Sequence, residues 1–367
     1  MSPFIWSEGN DVVIKVLVVE DSPVARELLV YILDADPEIK VIGTVSNGIQ
    51  ALQAVKEKTP DVITMDIHMP QMDGFEATRK IMETSPTPIV IVTGSLDPCA
   101  VETSFRAIEA GALAIVARPQ GLGHPQFESD ARELIKTVKL MSEVKVVRRW
   151  TKARLAPLTT LVREIDVKPD HREVQVVAIG ASTGGPVVLQ TILSALPKDF
   201  LAPVLIVQHI AAGFTVGFVE WLNQTSRLPV HLATHGEPML SGHVYVAPDG
   251  FQMGVRAAGQ ITLNHDAAEH GLCPSVSFLF RSVAEAYGGK TIGVLLTGMG
   301  KDGAAELHLM KQRGGVTFAQ DAESSVVHGM PGEAIKLDAA TYVLAPEKIA
   351  VALQNLVKSN RKSSHAA

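Results

Sequence analysis

The sequence predicts an α/β protein made of two doubly wound parallel-sheet domains, the second carrying an antiparallel hairpin insertion. Three observations predict it. Short apolar runs alternate with helix-length amphipathic stretches in an N-terminal block, which is the pattern of strands crossed over by helices in a parallel sheet. The alternation resumes at Val174 and continues to Leu356, interrupted by short runs with glycine turns. Between the blocks, Arg148 to Arg172 is rich in charge, carries Pro157 and Pro169, and shows no strand pattern.

In the first block the strand runs are Lys15–Val19, Val41–Thr44, Val62–Met65, Ile89–Val92 and Ala114–Val116, and Ser129–Val147 reads as the closing helix. The first domain is placed at 13–141, a tether at 142–173, the second domain at 174–357, and a polar, disordered tail at 358–367. In the second block the runs are Val174–Ile179, Val204–Gln208, Val230–Ala233, His243–Ala247, Gly254–Arg256, Ile261–Asn264, Thr291–Leu296, Gly315–Phe318 and Thr341–Leu344. Helices are expected at Pro186–Ala195, Phe214–Gln224, Ser275–Tyr287, Gly303–Arg313, Met330–Lys336 and Pro346–Val357. The stretch from Val230 to Asn264, with its glycine turns, reads as antiparallel hairpins inserted in the parallel sheet.

Composition excludes several classes. A net charge of -6 without a basic face argues against a nucleic-acid binder. No apolar run approaches the roughly 18 residues that span a bilayer. The start, MSPFIWSEGNDVVIK, has no basic segment followed by an apolar one, so a cytoplasmic location is expected. Cys99 and Cys273 form no paired framework and read as free thiols in a reducing compartment. HDAAEH, His265 to His270, has one residue too many for a zinc-binding H-x-x-E-H.

Two sets of residues carry chemistry. Glu20-Asp21 follow the first strand run and Asp66 follows the third, so all three reach the C-terminal sheet edge where ligands bind in such folds. Their mutual repulsion calls for a hard cation such as Mg2+, which would hold a phosphoryl group on Asp66. Thr93 ends the fourth run, and Arg118, before Pro119, ends the fifth and brings a cation. Any one acidic residue here is an ordinary loop or cap residue; five suitable residues at the right strand ends are not.

In the second block, GASTG at 180–184 fits G-x-S-x-G, a strand-to-helix turn that lifts Ser182 above a sheet edge with unpaired helix N–H groups behind it. A nucleophilic serine needs a base and the base an orienting acid. Among twelve histidines only His209 directly ends a strongly apolar run, VLIVQH. Asp302 and Asp321 both follow strands and compete by position for the third role. The order Ser, His, Asp disfavours the α/β-hydrolase fold despite the shared pattern.

The first block resembles a response-regulator receiver domain from about Lys15 to Met141, on Glu20-Asp21, MDIHMPQMDG at 65–74, Thr93 in VTGS, and Arg118-Pro119. The resemblance implies a flavodoxin-like fold and phosphorylation of Asp66 by a histidine kinase with Mg2+. Arg118 stands where that family has lysine, and Ile115 where an aromatic residue is usual, so an altered activation response is expected. The second block resembles the catalytic domain of chemotaxis methylesterases, on GASTGGP at 180–186, VQHIAAGFT at 207–215, GLCPSVSFLFRSVA at 271–284, LLTGMGKDGA at 295–304 and AQDAESSVVHGMP at 319–331. That resemblance implies a Rossmann-like domain with the triad Ser182, His209 and Asp302, an oxyanion donor on the Met299 backbone with Thr183 close by, and no cofactor for the esterase step. It further implies methylated chemoreceptor helices as substrate, a chemotaxis histidine kinase as phosphodonor, glutamine deamidation as a second reaction of some members, and a receiver that restricts the cleft until it is phosphorylated. Gln252 stands where many members have histidine, Glu306-Leu307 replaces Gly-Leu, and Cys273 is expected to pack. The alternatives are a transcriptional regulator, which lacks its helix-turn-helix and basic face, and a non-catalytic module that docks on receptors.

Overall fold

The computed structural model describes residues 13–94, 105–144, 146, 173–269 and 271–358. Cys99, His270, nearly all of the expected tether and the tail beyond Lys358 lie outside them. The described residues fall into two compact units.

In the first unit β1 (Ile14–Val19), β2 (Ile39–Val45), β3 (Val62–Met65), β4 (Ile89–Thr93) and β5 (Ala114–Ala117) form one parallel sheet in the order β2-β1-β3-β4-β5. The chain reverses direction of strand addition at β1, so the β1 and β3 ends define the switch point where a ligand crevice opens. Helices α1 (Pro23–Asp34), α2 (Gly48–Lys58), α3 (Gly74–Thr84), α4 (within 105–110) and α5 (Phe127–Ser142) cross over between and after the strands. Three start on side-chain caps that satisfy an otherwise orphaned amide: Ser22 accepts from Ala25, Asn47 from Gln50, and Asp73 from Glu76. The closing helix runs Phe127–Ser142, two residues earlier at its start and ending short of the expected Val147. Its inward stripe is Leu134, Val138 and Met141.

In the second unit β6 (Val176–Ala181), β7 (Val204–Gln208), β8 (Val230–Leu232), β9 (Val244–Val246), β12 (Thr291–Leu295), β13 (Val316–Gln320) and β14 (Tyr342–Leu344) form a parallel sheet ordered β14-β13-β12-β6-β7-β9-β8. β10 (Gln252–Arg256) and β11 (Gln260–Asn264) pair antiparallel in a sheet of their own. The hairpin expectation therefore holds only for this second pair. β8 and β9 run parallel, because residues 233–243 cross over instead of turning back.

One face of the seven-stranded sheet is covered by α8 (Val276–Tyr287), α9 (Ala304–Gln312) and the hairpin. Val176 and Ala178 of β6 and Leu205 and Val207 of β7 point to that face at period two, against Leu279, Phe280 and Val283 of α8 and Met253 and Val255 of β10. Helix α8 presents Val276, Leu279, Phe280, Val283 and Ala284, a stripe with helical spacing, and every one is buried. α6 (Gly185–Ala195), α7 (Thr215–Thr225), α10 (Met330–Lys336) and α11 (Pro346–Lys358) complete the unit. Gln354 of α11 donates to the Ala195 carbonyl at the end of α6 at 2.9 Å. The switch point falls at β6, between β12 and β7, and three strand ends meet there.

Candidate functional site

Ser182 is the first residue after β6, and His209 the first after β7. Ala181 pairs with Gln208, and the His209 amide donates to the Ala181 carbonyl at 2.9 Å, so serine and histidine leave neighbouring strands side by side. Gln208 ties them further. Its carboxamide nitrogen donates to the Ser182 carbonyl at 2.9 Å and to the His209 carbonyl at 2.8 Å, while its Oε1 is buried without a partner. The turn needs its glycines: Gly184 has a φ of 77°, and a Cβ on Gly185 would lie 2.2 Å from Gln208 Oε1.

On the other side of β6, the Ser182 amide donates to the Thr297 carbonyl at 3.0 Å. The Thr297 hydroxyl lies 2.9 Å from the Thr183 carbonyl and accepts from the Val327 amide at 2.9 Å, and its own amide donates to Gln320 Oε1 at 2.8 Å. Gly298 packs on the serine so closely that a Cβ there would stand 2.6 Å from Ser182 Cβ. Met299 follows and is 44% exposed.

Asp302 lies 4% exposed beneath this edge. His209 Nε2 is 3.0 Å from Asp302 Oδ2, which also accepts from the Val276 amide at 2.7 Å. Oδ1 accepts from the Ser275 hydroxyl at 2.9 Å and the Ser277 amide at 3.0 Å. The carboxylate thus sits on the N-terminus of α8, whose free amides and dipole favour negative charge. Burial alone would raise its pKa. The His209 hydrogen bond and charge, with the bonds from Ser277 and Val276, outweigh burial and hold it at about 2. An ionised carboxylate only accepts, so Nε2 carries the proton and Nδ1 keeps its lone pair for a proton acceptor's role.

Asp321, the positional competitor, is elsewhere. It accepts from the Ser324 amide at 3.0 Å and from its hydroxyl, and closes the turn after β13. Glu306 faces Arg281 at 3.8 Å. Cys273 is half-buried, and burial pushes its thiol up. Sequence reading passed over Gln208, Thr297, Ser275 and Ser277, and noted Gln252 only as a departure from the family pattern. The available signals were an amide ending an otherwise apolar strand at Gln208, and a serine before a helical stripe at Ser275.

In the first unit Glu20, Asp21 and Asp66 place carboxylate oxygens within 4.8 Å of one another. Burial and then the Asp66 charge push Glu20 up to about 7, against the pull of Arg118 and the Ser22 amide. Burial also raises Asp66, opposed by the Ile67 amide, which donates to Oδ1 at 2.8 Å, and by the Arg118 charge. Glu20 Oε2 is buried with no hydrogen-bond partner. An all-oxygen donor set with an orphaned acceptor and three crowded charges fits a hard divalent cation. Thr93 ends β4, buried, and its carbonyl accepts from the Arg118 amide at 2.8 Å. Ile115 lies in mid-β5, opposite Ile91.

A receiver-type sheet and a hydrolase-type serine site define a two-component effector with an enzymatic output. Comparison with known proteins makes that particular. The family model described as CheB methylesterase matches residues 177–353, and that of the response regulator receiver domain matches 16–124. A protein-glutamate methylesterase/protein-glutamine glutaminase of Nitrosospira multiformis is 58% identical over 344 residues, 94% of this chain and 97% of that protein. One of the same description from Syntrophus aciditrophicus is 55% identical over 347 residues, 94% and 99% of the two chains. Among solved structures, the Thermotoga maritima CheB methylesterase catalytic domain is 42% identical, covering 50% of this chain and 98% of that one, with a TM-score of 0.49. The chain belongs to the CheB methylesterase family, in the form that carries a receiver domain.

Proposed function

We propose that this chain hydrolyses methyl esters of glutamate side chains on chemoreceptor helices, and that Ser182, His209 and Asp302 carry the reaction. The observation that bears the proposal is the bond from His209 Nε2 to Asp302 at 3.0 Å, made directly beside Ser182. His209 Nδ1 takes the hydroxyl proton as Ser182 Oγ attacks the γ-carbonyl carbon. The backbone N–H of Met299, with Thr183 beside it, faces the developing oxyanion; one such donor is worth about 3 kcal/mol of barrier. His209 returns its proton to the departing methoxide, and methanol leaves. Water then attacks the glutamyl ester of Ser182 with His209 again as base, regenerating the serine and releasing glutamate. The same steps on glutamine release ammonia, and the names of the relatives support that second reaction.

Phosphorylation of Asp66, by a chemotaxis histidine kinase in the cytoplasm, is the proposed control. Glu20, Asp21 and Asp66 would hold Mg2+, which neutralises the entering phosphoryl group, and Thr93 and Arg118 would face its oxygens. Among the described residues no helix is long and apolar enough to cross a membrane. The test is methanol release from methylated receptor membranes. Ser182→Ala should release none above background, and acetyl phosphate with Mg2+ should change the rate of the parent but not of Asp66→Asn. Unimpaired hydrolysis by Ser182→Ala would overturn the catalytic assignment, and equal responses of parent and Asp66→Asn the control by Asp66.

A further inference from the structure

Gln252 opens β10 in the hairpin, and it is fully buried. Its side chain makes two bonds, both to the loop ahead of α8. Nε2 donates to the Leu272 carbonyl at 3.0 Å, and Oε1 accepts from the Ser275 amide at 2.9 Å. Ser275 is the N-cap of α8, and its hydroxyl donates to Asp302 Oδ1 at 2.9 Å. The next two residues give Asp302 its backbone amides. Gln252 thus holds the 272–275 loop that leads into residues 275–277, which supply three of the four donors around the acid.

We propose that Gln252 is a positioning residue for the esterase reaction, and that the hairpin carrying it serves as the prop of Asp302. This rests on the assignment of Asp302 to the triad. Gln252 touches no reacting atom. It acts through Ser275 on Asp302, and through Asp302 on the orientation of His209. The chemistry required at the position is one donor and one acceptor at the end of a short side chain, buried and uncharged. Glutamine meets it, and so does a neutral histidine, with one ring N–H and one bare ring nitrogen. Methionine matches glutamine in length but offers neither strong bond, and would leave the Ser275 amide buried and unpaired, while the Leu272 carbonyl would keep only the Glu269 amide, at 3.0 Å.

The experiment uses the full-length chain and methylated receptor membranes, comparing Ser182→Ala, Gln252→Met and Gln252→His. Gln252→Met should lower kcat about tenfold to a hundredfold, the scale of an ångström-level misplacement, with KM within twofold of the parent. Gln252→His should restore kcat to within threefold. The rate at which a fluorophosphonate labels Ser182 should follow kcat across the series, since it reads the nucleophile without the receptor. Retention of kcat by Gln252→Met, an equal loss in Gln252→His, or a change confined to KM would overturn the proposal. Should Gln252→Met not fold, Gln252→Asn, which keeps the amide one methylene short of its partners, takes its place in the same comparison with the same outcomes. Full activity of Ser182→Ala would instead remove the triad itself, so the two failures are distinguishable.

Discussion

Arg118 is paired with Glu20: its Nη1 lies 3.2 Å from Glu20 Oε1. Gly94 makes room for the guanidinium, since a Cβ there would meet Nη2 at 2.1 Å. The wide fork and the bare glycine are therefore a matched pair, and the fork bonds Oε1 and leaves the orphaned Oε2 to a cation. The Arg118 charge would oppose Mg2+ at Glu20. Arg118→Ala should bind Mg2+ more tightly, by about 1 kcal/mol or roughly fivefold. Titration with Mn2+ followed by EPR at pH 8.5, above the value of about 7 to which Glu20 is raised in the parent, checks this. Unchanged or weaker binding would show that the Arg118 charge does not oppose the metal.

Asp302 and Asp321 compete in the sequence and part company in the structure, one on His209 and the other on Ser324. Asp302→Asn puts an amide against Nε2 and favours the wrong imidazole tautomer. Its kcat should drop by about 10^4, the cost of the equivalent change in a serine protease. Asp321→Asn should stay within a few-fold of the parent. Comparable losses in both variants, measured by methanol release, would contradict the assignment.

How much of this was legible beforehand depends on the range of the interaction. The inner strands β3, β4, β6, β7 and β12 were visible because each is a largely apolar run buried along its whole length, and Ser182, His209 and Asp302 because each lies at or past a strand end. The direction of β8 and β9 was not visible, since three-residue strands carry no sign of whether residues 233–243 turn back or cross over. Nor were the contacts that set the site's geometry. Gln252 meets Ser275, and Gln208 meets Ser182, across intervals that no local period encodes. Position alone left Asp302 and Asp321 open and the family resemblance chose Asp302; the start of α8 gives the physical reason, since Asp302 accepts its amides.

The depressed pKa of Asp302 makes an acid-stability prediction. Its folded value is about 2 against an ordinary 3.8, so the unfolded chain binds more protons in the interval between them. The stabilisation is fully present above pH 4 and lost as the pH falls through 2. The shift corresponds to roughly 2–3 kcal/mol. Urea unfolding of the second unit is followed by Trp221 fluorescence, with Trp6 and Trp150 replaced by Phe. Between pH 4.5 and 2 the midpoint should fall more steeply for the parent than for Asp302→Asn. Parallel curves would mean that the carboxylate is not held ionised by its four donors.

Gly298 offers the sharpest test of how the serine is seated. It follows Thr297, whose carbonyl takes the Ser182 amide, and precedes Met299, the proposed oxyanion donor. A Cβ at Gly298 would stand 2.4 Å from Met330 Sδ and 2.6 Å from Ser182 Cβ. The Met330 side chain can swing aside, being unbranched and flexible. Ser182 Cβ cannot, because its backbone is held by Thr297 on one side and Gln208 on the other. Gly298→Ala should therefore displace the nucleophile against its oxyanion donors by a fraction of an ångström or more, and lower kcat by about a hundredfold. The cost in stability should be no more than about 1–3 kcal/mol, the usual penalty of overpacking. Met330→Ala removes the nearer obstacle but not the serine, so it should not rescue Gly298→Ala. Restoration of kcat in the double variant would place the strain on Met330 and leave the seating of Ser182 unexplained.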